Sequence, residues 1–144
     1  MTRAVVVTAS QVKYVQDVAI GPHLLHADEP EAAGGRDTGP SPYELLLAAL
    51  GTCTAITVQM FADRRQWPLR NVQIRLSHAR NHAQDCAQCE TASPKLDQIA
   101  LAVSLTGDLS AEQRRRLLAV AGRCPVHNTL SAPISIVLRE ADDC

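Results

Sequence analysis

From Ser41 to about Arg64 the chain reads as one long, apolar α-helix, and this run constrains the fold more than any other segment. Ser41 suits the N-cap, Pro42 the first helical position and Glu44 the third. Ser-x-x-Glu is then a capping box, in which two side chains satisfy backbone N–H groups that the first turn leaves unpaired. Trp67-Pro68 ends the run. Between Leu45 and Ile56 the residues are apolar nearly all round, as expected of a helix covered on most sides. Thr52, Thr54, Thr57 and Gln59 interrupt the stretch over residues 45–60, which on this reading falls short of a membrane span.

The flanking segments supply strands. Residues 5–10 and 13–20 are Val-rich and partly alternating, Gly21-Pro22 is a turn, and 23–27 return as a further strand. Residues 28–40, with Gly34-Gly35, Gly39, Pro30 and Pro40, form a loop. Residues 72–78 alternate cleanly, 96–105 resume that pattern through Ile99, Leu101, Val103 and Leu105, and 134–139 read as a closing strand. A second helix begins at Ser110, with Gln113 three residues on, and carries Leu117, Val120, Ala121 and Cys124 on one face. The order is α+β with mostly antiparallel strands, in a single domain over residues 1–144.

Apolar residues make up 46% of the chain but aromatic ones only 3%, so the core must be built from Leu, Val, Ile and Ala. Fourteen Lys and Arg against fifteen Asp and Glu leave a formal charge of −1, which provides no field for nucleic acid or anionic lipid. The dense basic cluster Arg114-Arg115-Arg116 is read as a solvated helix face. The apolar stretch after Arg3 is too short for a secretory h-region, and five cysteines, an odd number, suit free thiols better than a disulfide framework. A cytoplasmic location is expected.

Two of those cysteines stand in unlike settings. Cys53 has Ala49, Leu50, Ile56 and Thr57 as its helical neighbours, so its sulfur sits on an apolar face, either as inert core or as a thiol activated by a cation from elsewhere. Cys124 precedes a proline at the end of an amphipathic helix, a setting that suits a resolving thiol, with His127 as a possible base or simply a surface polar residue. The series His78-x3-His82-x3-Cys86-x2-Cys89 offers four ligands for tetrahedral zinc, or a local disulfide, or an exposed pair. Cys144 carries no inference. There is no Gly-rich phosphate loop and no metal-protease helix, so no cofactor is expected.

With Gly39-Pro-Ser-Pro-Tyr-Glu-Leu-Leu-Leu-Ala-Ala-Leu-Gly-Thr-Cys53-Thr and Cys124-Pro-Val-His in place, the chain resembles the OsmC/Ohr family, the osmotically induced and organic-hydroperoxide-resistance proteins. The resemblance spans nearly the whole length. It implies an OsmC-like fold in which two chains intertwine as a homodimer, mostly antiparallel sheets wrap central helices, and the active sites lie at the subunit interface. It implies further that Cys53 is the peroxidatic nucleophile, that its sulfenic acid condenses with Cys124, and that an external dithiol such as dihydrolipoyl groups reduces the disulfide. Family peroxidases pair the reactive cysteine with an N-terminal arginine held by a glutamate. Alignment on Ser41-Pro42 and Cys53 puts Tyr43 at the glutamate position and Glu44 one residue later, and Arg36, in the loop before the helix, is the candidate cation.

The expected function is thus a thiol peroxidase acting on small apolar hydroperoxides. Two other readings stand beside it: another thiol activity on the same scaffold, such as disulfide exchange or acyl transfer through Cys53, and a non-enzymatic redox sensor or ligand-binding module.

Overall fold

The computed structural model describes residues 3–81 and 96–141, which fall into two compact units, Met1–Ala48 and Ala49–Cys144. In the first, β1 (Val5–Ala9), β2 (Gln16–Ile20) and β3 (His23–Ala27) form an antiparallel meander. Ile20 pairs with His23 across the two-residue turn, and Gly21 takes the positive φ of 58° that a hairpin with glycine first requires. All five β1 residues are exposed, including Val5, Val6 and Val7.

The loop after β3 is wound around one carboxylate. Asp28 is 1% exposed, and its two oxygens accept from the backbone N–H groups of Glu29, Arg36 and Thr38 and from the Thr38 hydroxyl. Four donors on one buried anion fix a Gly-rich segment that has no sheet to hold it. The Thr38 N–H, followed by its hydroxyl and the other two amides, outweighs burial and holds the Asp28 carboxyl below its ordinary pKa.

Helix α1 (Pro42–Arg64) starts where the capping box places it: the Ser41 N–H donates to Glu44 Oε2 at 2.7 Å, and the Glu44 N–H donates to Ser41 Oγ at 3.4 Å. Its burial differs from expectation. Leu50, Gly51, Thr54, Val58 and Ala62 form one buried stripe, while Ile56 and Met60 remain about half exposed, so the helix is covered along one face and not on most sides. Length and composition alone, with a mean hydropathy of 1.8, would also suffice for a membrane span, contrary to the sequence reading. The threonines explain why they interrupt so little: the hydroxyls of Thr52, Thr54 and Thr57 donate to the carbonyls of Ala49, Leu50 and Cys53, and so need no water. A soluble core helix passes the same test.

In the second unit, β4 (Leu69–Asn81) and β5 (Leu96–Gly107) make a long antiparallel ribbon. Val72, Ile74, Leu76 and His78 pair with Leu105, Val103, Leu101 and Ile99, and these residues are half-buried on one face while their neighbours point to solvent. Gly51 lets α1 approach closely, since a Cβ there would stand 2.7 Å from Leu76 Cδ1. α2 (Ala111–Ala121) begins with the Ser110–Gln113 capping box and buries Leu117 and Ala121 against Val58 and Ala62 of α1, with Trp67, Val72, Val103 and Leu105 around them. Among the three clustered arginines, Arg114 is a structural tie. Its guanidinium donates to the carbonyls of Leu105 and Gly107 and so fastens α2 to the end of β5. Arg115 and Arg116 are exposed, as a solvated face requires.

α3 (Pro125–Leu130) follows directly, capped by Cys124. The closing strand expected over residues 134–139 is absent. The segment is exposed and joins no sheet, with Ile136, Val137 and Leu138 each more than four-fifths exposed. An alternating apolar sequence becomes a strand only where a neighbouring edge offers hydrogen bonds, and no described strand of this chain lies beside it.

Candidate active site

Two consecutive helical residues and one helix cap meet inside the second unit. Cys53 lies on the middle of α1 at the margin of its buried stripe and is half-buried, whereas Cys124 is fully buried. Both thiols are free. Thr54, the residue after Cys53, places its hydroxyl 3.5 Å from the Cys124 sulfur, so the fold brings together two segments 70 residues apart in sequence.

The surroundings of Cys124 explain its chemistry. Pro125 at the first helical position leaves Cys124 in an extended conformation at the N-cap, where Sγ takes the place usually held by a Ser or Asp oxygen. It accepts from the His127 N–H at 3.3 Å, and Thr54 Oγ1 stands 3.5 Å away on α1. Burial pushes the thiol up, but the Thr54 hydroxyl, the His127 N–H, the Cys53 thiol and the Val126 N–H together outweigh it, and Cys124 lies below its ordinary pKa. Hydrogen-bond donors around a buried sulfur favour its charged form.

His127 contributes through its backbone to Cys124. Its imidazole instead lines two clefts of about 360 and 200 Å3, the first walled by Leu101, Val103, Leu118 and Ala121, the second by Leu50, Ile99, Leu130 and Asp97, and its Nδ1 is buried without a hydrogen-bond partner.

Arg36 and Glu44 belong to the other unit. Arg36 is exposed and its backbone is tied to Asp28; Glu44 is occupied in the capping box, where the Ser41 N–H and hydroxyl hold its carboxyl below the ordinary value. No ion pair joins them among the described residues. His78 Nε2 donates to Asp97 Oδ1 at 2.9 Å, and no cluster of three metal-binding side chains occurs among the described residues; His82, Cys86, Cys89 and Cys144 lie outside them. Sequence reasoning passed over Thr54 and Asp28. The signal for Thr54 was a hydroxyl on a stripe otherwise made of Leu50, Gly51, Val58 and Ala62, and for Asp28 a carboxylate opening a loop rich in glycine.

The OsmC-like protein family profile matches residues 34–139, nearly three-quarters of the chain, and includes both cysteines. The chain belongs to the OsmC-like family. Its fold is that of solved OsmC-like structures: an OsmC-like protein from Mycoplasma pneumoniae has a TM-score of 0.72 at 17% identity, covering 91% of this chain and 88% of that one. An organic hydroperoxide resistance protein OsmC from Legionella pneumophila follows with 0.62 at 21%, covering 90% of each, and the organic hydroperoxide resistance protein OhrB of Bacillus subtilis with 0.58 at 18%, covering 89% of each. No curated protein matches by sequence. As an OsmC-like α+β fold of antiparallel strands and helices, the chain has the architecture its motifs implied.

Proposed function

We propose that this OsmC-like protein is a thiol peroxidase for organic hydroperoxides. The observation that carries the reading is the asymmetry of the two cysteines: a half-buried Cys53 whose neighbour Thr54 meets a fully buried Cys124 held below its ordinary pKa. The family and the hydroperoxide-resistance proteins of the same fold support it.

In this reading a peroxide reaches Cys53 first. The Cys53 thiolate attacks one oxygen of ROOH; an S–O bond forms, the O–O bond breaks, and the departing alkoxide takes a proton to leave as ROH. The Cys124 thiolate then attacks the Cys53 sulfur; an S–S bond forms and hydroxide leaves, protonated to water. An external dithiol, for which dihydrolipoyl groups are the expectation, returns both cysteines to thiols and is itself oxidised to a disulfide. Arg36 is the proposed cation for Cys53 and Glu44 its proposed anchor, while the apolar helical neighbours of Cys53, Ala49, Leu50 and Ile56, would favour organic peroxides over hydrogen peroxide. The working form is taken to be a cytoplasmic homodimer.

Stopped-flow oxidation of the reduced protein by cumene hydroperoxide and by hydrogen peroxide tests this. Fast oxidation is expected, preferring cumene hydroperoxide, abolished in Cys53→Ser, and stalled at the sulfenic acid in Cys124→Ser. Arg36→Ala should slow the first step at least tenfold. Glu44→Gln keeps a capping oxygen, so a slowed first step in that variant would reflect the lost charge and not a frayed helix. Oxidation no faster than that of an ordinary thiol would exclude the peroxidase, and oxidation without dithiol turnover would identify a sensor.

A further inference from the structure

Thr54 follows Cys53 directly, is fully buried, and lies on the stripe of α1 that packs inward. Its hydroxyl has two neighbours, the Leu50 carbonyl oxygen at 2.8 Å and Cys124 Sγ at 3.5 Å. One hydroxyl carries one proton, so it serves these two neighbours by turns. While Cys124 is a thiol, the S–H donates to Thr54 Oγ1 and the hydroxyl donates to Leu50. Once Cys124 is deprotonated its sulfur can only accept. The hydroxyl then turns to Sγ, where a charge-assisted bond is stronger than a neutral one. The Leu50 carbonyl loses little, because inside a helix it also accepts from the amide four residues on.

We propose that Thr54 is a positioning residue for Cys124, a two-position donor that holds the buried sulfur as a ready thiolate beside Cys53 and thereby sets the rate of disulfide formation. The His127 N–H supplies a second, fixed donor on the same sulfur at 3.3 Å, so the thiolate is bound from two different helices. Burial alone would raise the Cys124 pKa; among the contacts that reverse this, the Thr54 hydroxyl ranks first. A valine has the same shape and would complete the apolar stripe, so the hydroxyl, not the volume, is what this position adds. The effect on disulfide formation rests on the peroxidase reading, whereas the effect on the thiolate does not.

The test uses the full-length reduced protein labelled with 13Cβ-cysteine, with Cys124 assigned from the Cys124→Ser variant and its titration followed by NMR. Thr54→Val should raise the Cys124 pKa by about one unit or more, a tenfold loss of thiolate at neutral pH for each unit. After oxidation by cumene hydroperoxide, the disulfide-forming phase should slow about tenfold at pH 7 and recover as the pH rises, a shifted pH profile that a merely structural role would not produce. Thr54→Ser, which keeps the hydroxyl, should restore both titration and rate. Identical Cys124 titration in wild type and Thr54→Val would overturn the proposal whatever the peroxide kinetics, as would a folded Thr54→Ser that fails to restore it. A shifted titration in a protein whose wild type forms no Cys53–Cys124 disulfide would uphold Thr54 and remove the peroxidase.

Discussion

Asp28 does for its loop what a strand does for its neighbour: it absorbs backbone N–H groups that would otherwise need water. The carboxylate is buried and accepts from Glu29, Arg36 and Thr38, so the ionised form is the one the fold selects. The sign of its pH dependence follows. A carboxyl whose folded pKa lies below its unfolded value stabilises the fold above about pH 4, and that contribution fades as pH falls through the folded value. Asp28→Asn turns an acceptor into a partial donor facing three amides. Its urea midpoint should be clearly lower than that of wild type at pH 7, and the gap should shrink towards pH 3. A gap of constant size from pH 7 to 3 would show that the charge is irrelevant. The loop also carries Arg36, so the same variant asks whether an ordered loop is needed for the rate at Cys53. Sequence composition identified a loop here but not its organiser, because a buried anion is recognised by which amides surround it, and those come from residues one, eight and ten positions away.

At the level of elements, local signals were legible and pairings were not. The Ser41–Glu44 and Ser110–Gln113 boxes and the alternation of β4 and β5 involve residues within a few positions of one another, and the structure has them as read. Cys53 and Cys124 could be singled out by their settings, but their meeting depends on α1 and α3 sharing one interior. On the same helix, Gly51 sets the approach of α1 to β4. Gly51→Leu removes a helix-weakening glycine, which favours the variant by about 1 kcal/mol. It also drives a side chain into Leu76, where a Cβ alone would already sit 2.7 Å from Cδ1. Overpacking of this kind typically costs about 1–3 kcal/mol, so the clash should win and the variant should unfold at lower denaturant. On the proposed peroxidase reading, disulfide formation should slow as well, because the displaced contact is two residues before Cys53. A more stable variant would mean that Leu76 swings aside freely and that the approach of helix to ribbon is not fixed by this glycine. Leu117→Ala gives the reference for the same core: Leu117 is fully buried against Val58 and Ala62, and its truncation should cost about 2–5 kcal/mol.

At the scale of the whole molecule, the described residues leave apolar surface uncovered. Ile56 and Met60 stand on the open face of α1, Val5, Val6 and Val7 line β1, and residues 134–138 hold Ile134, Ile136, Val137 and Leu138 exposed on a segment without a strand partner among the described residues. Scattered apolar residues are ordinary on a surface, but a continuous segment with strand-like alternation is a request for an edge. The proposed homodimer answers it economically, since a second copy offers the same unpaired edges and a closed two-fold arrangement uses each patch on both chains. Light scattering after size exclusion should then give twice the 15.5 kDa chain mass at micromolar concentration. Replacing Ile136 and Leu138 together by aspartate should shift the protein towards monomer and lower its thermal midpoint by several degrees, since the charges would have to be buried at the new contact. These residues are far from Cys53 in sequence and touch neither sulfur in the described contacts, so a variant that is monomeric yet oxidises at the wild-type rate would place the chemistry within one chain. Loss of both together would place the working site across two. A wild type that runs at the single-chain mass would leave residues 134–138 uncovered by a second copy and return the search to a different partner.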